Sequence, residues 1–106
     1  MTRKYKVLKS AGYRIDDIFA YTLETWGHGQ AKTYVNGLFD HFGKIAAHHI
    51  QWRKIPSEYG VKGYYALYKK HIVFWRELPG GAVGIFSILN QTMNIPRHLQ
   101  VDSKEE

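Results

Sequence analysis

The chain contains no cysteine, so whatever chemistry it performs falls to histidine, lysine, arginine, tyrosine, a carboxylate or a hydroxyl. That absence removes disulfide frameworks, thiol nucleophiles and cysteine-based zinc sites together, and it fits a reducing compartment. Six histidines make metal binding the first possibility to test. His48 and His49 are adjacent, so on a helix their side chains diverge by about 100° and chelate poorly together. His41 and His48 are seven apart and could share a helical face. No carboxylate completes a ligand spacing, however, and no H-E-x-x-H is present. The histidines are therefore expected at surface or capping positions, with no metal and no cofactor.

Nucleophilic catalysis finds no G-x-S-x-G elbow. Ser87 lies inside an apolar run, where a small packing role is expected. The glycines form neither a phosphate loop nor a dinucleotide fingerprint. Asn90-Gln91-Thr92 spells a glycosylation sequon, which without a secretory signal is a chance match. What stands out instead is a set of basic residues interleaved with aromatics: Trp52, Arg53, Lys54, Lys62, Tyr64, Tyr65, Tyr68, Lys69, Lys70 and Arg76. Such a set can stack on bases and neutralise phosphates, although the same aromatics are also good strand formers. Fifteen Lys/Arg against nine Asp/Glu give a net charge of +6. That balance favours an anionic partner, either nucleic acid or an acidic polypeptide.

The elements that must position these residues follow from periodicity. At 106 residues the chain is expected to form one domain spanning 1–106. "RKYKVL" (Arg3 to Leu8) alternates and reads as a short edge strand. Ser10 is the expected N-cap of a helix over Ala11 to Trp26, with Ile15, Ile18, Phe19, Thr22 and Trp26 as its buried stripe. After Gly27-His28-Gly29, a second helix runs from about Gly29 to His48, packed antiparallel on the first. "HHIQWRKIPSEYGVKG" (His48 to Gly63) has no clear period and is expected as an exposed connection and candidate binding loop. Tyr64–Lys69, His71–Glu77 and Ala82–Leu89 then form an antiparallel meander, the second strand covered on both faces. Pro96 starts a short turn at "PRHL", and "DSKEE" should fray. The expected class is α+β, with the helices on one face of a small sheet. No apolar run approaches the roughly 20 residues that span a bilayer, and Met1–Ser10 lacks the apolar stretch of a secretory signal. A soluble, cytoplasmic protein is expected.

Several stretches together resemble ParE toxins of the RelE/ParE superfamily. "DDIFAYTLETWGHGQAKTYVNGLFDHFGKIAAH" (Asp16 to His48) is similar to that family's helix hairpin, where an Asp-aliphatic run leads to Trp-Gly and then Ala-x-x-Tyr. "GYYALYKKHIVFWR" (Gly63 to Arg76) resembles its Gly-Tyr-Arg followed by a His-x-Ile-Phe-Tyr strand. "SILNQTMNIPRHL" (Ser87 to Leu99) is similar to the closing strand and tail, with Met93 followed by Arg97-His98-Leu99. Tyr65 stands where many relatives carry Arg, and Asn90 and Asn94 stand in place of His and Asp.

The resemblance implies a toxin of a bacterial type II toxin–antitoxin pair. It implies a RelE/ParE-like fold: N-terminal strand, helix hairpin, three-stranded meander and short C-terminal tail. ParE toxins poison DNA gyrase, whereas RelE relatives cut mRNA on the ribosome with Lys, Arg and a C-terminal Tyr. Metal-free RNA cleavage needs groups that activate the 2′-OH, stabilise the phosphate and protonate the leaving oxygen. Ile88 to Asn94 holds no Lys, Arg or Tyr. A non-catalytic gyrase poison is therefore the expectation, with Arg53, Lys54, Lys62, Lys69, Lys70, Arg76, Met93, Arg97 and His98 as target-binding candidates. Were the protein RelE-like, Arg53, Lys54, Lys62, Arg97 and His98 would be the catalytic candidates. A non-toxic nucleic-acid-binding module is the third possibility.

For the tail, two roles are compatible. Met93 packs back on the sheet while Arg97 and His98 present donors to the target, or the tail clasps the sheet edge. The implied partner is a ParD-like antitoxin, acidic and folding on binding, in a hetero-oligomer. Phe19, Leu23, Val35, Phe39, Tyr65 and Trp75 are the candidate antitoxin contacts.

Overall fold

The helix hairpin turns on a single residue. The computed structural model describes residues 4–104, in which helix α1 (Lys9–Trp26) and helix α2 (His28–Ala46) are separated only by Gly27. Gly27 adopts φ 92°, ψ 171°, a conformation that a side chain disfavours. Its N–H donates to the Leu23 carbonyl at 3.0 Å and its own carbonyl accepts from Ala31 N–H at 3.1 Å. One residue thus closes the first helix and opens the second, a tighter joint than the three-residue connector expected.

Helix α1 starts earlier than the sequence suggests, at Lys9 after Leu8, so Ser10 is not its cap. Ser10 is buried in the first turn, where its Oγ lies 2.6 Å from the Phe86 carbonyl and 3.0 Å from that of Asp102. The buried stripe is Ala11, Ile15, Ile18 and Thr22. Trp26 departs from it: at 68% exposure, it sits in the open on the helix's last turn. Phe19 is half-buried.

The remaining elements are β1 (Tyr5–Val7), β2 (Arg53–Lys54), β3 (Tyr64–Tyr68), β4 (His71–Glu77), β5 (Val83–Asn90) and helix α3 (Ile95–Lys104), with a 3₁₀ turn at Ser57–Tyr59. Arg3, expected to begin the first strand, and Glu105 and Glu106 at the end lie outside the described residues. Among the described residues the sheet has five strands in the order β1-β5-β4-β3-β2. Strand β1 runs parallel to β5 and the other pairs are antiparallel, so the meander is as expected and β4 is its centre. The connection between α2 and β3 is less irregular than its sequence suggested, because Arg53–Lys54 adds a fifth strand beside Tyr64 and Tyr65.

A bulge in β5 sets which residues face which layer. Phe74 pairs with Ser87 but Trp75 pairs with Ile85, leaving Phe86 as the extra residue. The alternation restarts there. Ile85 and Ile88 consequently both reach the core under the hairpin, with Ala11, Ile15, Leu38, Phe42, Ile45, Val73 and Trp75. Phe86 and Leu89 reach the opposite face, where they meet Ile55, Phe74 and Leu99. The expectation that the helices lie on one face is therefore corrected. Helix α3 and the β2–β3 connection cover the second.

The tail is the largest departure. The expected turn at "PRHL" continues as a ten-residue helix through Lys104. The segment "DSKEE", expected to fray, contains Asp102 at only 5% exposure. Among the described residues no helix is long and apolar enough to cross a membrane.

Candidate functional site

Asp102 is the hub that fixes the tail. Arg14 of α1 grips it in a fork, Nε 2.9 Å from Oδ2 and a terminal nitrogen 3.1 Å from Oδ1. Ser87 of β5 donates its hydroxyl to Oδ2 at 2.6 Å. The buried carboxylate is thereby paired and hydrogen-bonded, which a buried charge requires. Ser87 is a donor in this network and not the passive packing residue expected. Ser10 completes the junction by meeting the Phe86 carbonyl on the edge of β5, beyond Val7↔Ile85 where the β1 pairing stops. Side chains therefore close a sheet edge that the short β1 leaves open. Sequence reasoning missed Asp102 because a polar, acidic chain terminus carries no apolar stripe. The usable signal was the spacing of Leu99 to Asp102, one helical turn.

Met93 is half-buried against the second core, as the packed-back reading of the tail expected. His98 is half-buried, its Nδ1 3.4 Å from the Arg14 guanidinium, which can only donate, so the proton stays on Nε2. Arg97 is exposed.

The basic candidates are divided between the two faces and the two ends of the sheet. Arg53 pairs with Tyr65 and Lys54 with Tyr64, so strand alternation sends them to opposite faces. Arg53 shares a face with Tyr65 and Phe74, which belong to the second core, and Lys54 shares one with Tyr64 and Trp75 beneath the hairpin. Lys62 is exposed just before β3. Arg76 is half-buried with its guanidinium 5.1 Å over the Phe86 ring, and burial pulls its pKa below the ordinary arginine value. Lys69 and Lys70 occupy the β3–β4 turn, at the end where His71 pairs with Asn90. The length of β4, roughly 20 Å, separates that turn from Arg76. There are thus two basic poles. Of the residues considered for RNA cleavage, Lys54 faces away from Arg53.

Two histidines depart from the surface role expected. His71 Nδ1 lies 2.6 Å from the Tyr34 hydroxyl, and His41 packs with ring centroids 5.1 Å from Tyr68. Burial lowers the pKa of both, assisted at His41 by the charge of Lys44. Burial likewise raises that of Tyr34, followed in effect by Tyr68. Exposed His48 stacks on Trp52 at 4.1 Å.

The candidate partner contacts divide in a similar way. Phe19 and Leu23 on α1, and Val35 and Phe39 on α2, each fall four apart and form an apolar seam on the hairpin, with Leu23 40% and Phe39 36% exposed. Tyr65 is half-buried on the other side of the sheet. Trp75 is corrected: it has 0% exposure under the hairpin and offers no surface to a partner.

Comparison with known proteins gives these elements a lineage. The sequence profile of the family described as "ParE toxin of type II toxin-antitoxin system, parDE" matches residues 5–95, stopping where α3 begins. Toxin ParE1 of Caulobacter vibrioides (strain ATCC 19089 / CIP 103742 / CB 15) is 33% identical over 98 residues, covering 92% of this chain and 98% of that protein. With an α+β fold, a Trp-Gly hairpin and a match over most of its length, the chain belongs to the ParE toxin family of type II toxin–antitoxin systems.

Proposed function

We propose that this ParE-family protein arrests bacterial growth in the cytoplasm by binding DNA gyrase and trapping it on cleaved DNA, without catalysing a reaction itself. The dispersal of its cations supports this reading. An RNA-cleaving site would need a base, an acid and a phosphate clamp around one scissile bond. Arg53 and Lys54 instead leave opposite faces of the sheet. A surface that binds a large enzyme places no such demand on convergence.

Membership of a toxin–antitoxin family implies a cognate antitoxin. We assign it ParD-like character: an acidic chain that folds an amphipathic helix over Phe19, Leu23, Val35 and Phe39. The net charge of +6 suits an acidic partner, and the exposed seam suits its apolar face.

The test is a gyrase supercoiling and DNA-cleavage assay with purified protein, beside an mRNA cleavage assay on translating ribosomes. Linear DNA that accumulates only when gyrase is present is the expected result. Codon-phased mRNA cuts with gyrase unaffected would overturn the proposal.

A further inference from the structure

A cleft of about 610 Å³ opens between the hairpin and the end of the sheet, away from the apolar seam. Ile18, Tyr21 and Trp26 of α1, Tyr34 of α2, Ile88 of β5 and Met93 of the tail form its apolar and aromatic walls. Two of those aromatics are largely exposed, Trp26 at 68% and Tyr21 at 67%. At the β3–β4 turn lies a smaller cleft that shares Lys69, Lys70 and Asn90 and adds Gln91 and Thr92. Lys69 is held at this junction, its Nζ 5.4 Å from the Tyr34 ring centroid and 5.5 Å from that of Tyr68.

Charge is distributed unevenly. Arg14, Lys69 and Lys70 line the cleft against a single carboxylate, Asp17 on α1. Arg14 is already matched by Asp102, so the two lysines are the cations that a ligand would meet.

We infer that this cleft binds a nucleotide unit, its base stacked on Trp26 and Tyr21 and its phosphate taken by Lys69 and Lys70. Bases stack on exposed aromatics irrespective of sequence. A phosphate monoester carries close to two negative charges and suits paired lysines better than a lone carboxylate would. The volume lies within the range of small-ligand sites and exceeds what one docked side chain would fill. Gln30 and Asn90 supply amides at the walls for base or sugar edges. The unit is either a free nucleotide or the 5′-phosphorylated end of a single strand. The inference stands apart from the gyrase proposal, since binding is read with no gyrase present.

The test is calorimetric titration of the full chain with 5′-AMP, adenosine, inorganic phosphate, and a short single-stranded DNA with and without its 5′-phosphate. Saturable, salt-sensitive binding of AMP is expected, with adenosine and phosphate each weaker. Lys69→Ala/Lys70→Ala should weaken AMP binding about tenfold or more, and Trp26→Ala about tenfold. The charge-matched Lys9→Ala/Lys32→Ala control should leave it unchanged, with thermal melts confirming that each variant is folded. A strand that binds more tightly than AMP only when 5′-phosphorylated identifies the strand end as the source. Equal affinities identify the free nucleotide. Failure of AMP to bind at millimolar concentration would overturn the inference. So would phosphate binding as well as AMP, equal weakening by the control, or binding of an acidic aromatic peptide where AMP does not bind.

Discussion

The two faces of the sheet are held by different physics. Beneath the hairpin, Leu38, Phe42, Ile45, Val73, Trp75 and Ile85 are all fully buried, and attachment is spread over apolar area. On the other face, α3 contributes one fully buried apolar side chain, Leu99, and is fastened by the Asp102 network. Apolar attachment is redundant, because many contacts share the load. Polar attachment is concentrated, because removing one partner leaves the others buried and unmatched. The hairpin should therefore weaken by degrees, and the tail should detach at one residue.

The largest effect should come from Trp75→Ala, costing about 3–5 kcal/mol in urea unfolding and lowering protection across the whole molecule. Asp102→Ala should cost about 3 kcal/mol, with hydrogen exchange rising first in residues 95–104 while hairpin amides stay protected. If hairpin and tail amides lost protection together, the two faces would be one cooperative unit and the contrast would fail. Replacing both charges, Arg14→Met with Asp102→Leu, should recover much of that loss, since no charge is left stranded.

Gly37→Ala probes where the layers meet. A Cβ at Gly37 would overlap the Tyr68 hydroxyl, which donates to the Tyr34 carbonyl at 3.3 Å. Displacing that ring should cost about 1–3 kcal/mol, seen as a lower melting temperature. Gly27→Ala should cost about 1 kcal/mol through its positive φ alone, because a Cβ there meets nothing within 4 Å.

The smallest effect is that of pH. Burial depresses the pKa of His41 and His71 in the folded state below the unfolded value of 6.5, so the unfolded chain takes up protons first. Stability is thus fully present above about 6.5 and falls as acidification carries these histidines toward their folded pKa values. His71→Asn and His41→Asn should each flatten the melting temperature between about pH 7 and 5. An unchanged slope would remove the imidazoles as its cause.

Much of the framework was legible because it rests on repeating apolar patterns. In α2 the residues Ala31, Tyr34, Val35, Leu38, Phe42, Ile45 and Ala46 repeat at helical spacing, and all are buried except Tyr34 and Val35, which are half-buried. Strand β4 was recognised from its near-continuous apolar run. What escaped lacks a period. Strand β2 is two charged residues, visible only through pairing with Tyr64 and Tyr65. The bulge at Phe86 exists only in relation to β4, and without it no alternation places both Ile85 and Ile88 under the hairpin. Asp102 reads as a solvated tail residue until Arg14 and Ser87 surround it. The candidate site was the least legible part. Basic residues close in sequence parted by strand alternation, while the cleft joins Tyr21, Trp26, Lys69 and Met93 from distant segments.

The one-residue joint at Gly27 also bears on the order in which the molecule assembles. With so short a loop, α1 and α2 can collide and pair through contacts local in sequence, at small closure entropy. Strand β1 must instead wait for β5, since Tyr5 pairs with Val83 from the other end of the chain. Contacts of that span form slowly. The hairpin should therefore be the early nucleus, with β1 and the tail docking late. In stopped-flow refolding, Leu38→Ala should slow the folding limb, whereas Asp102→Asn should chiefly speed unfolding.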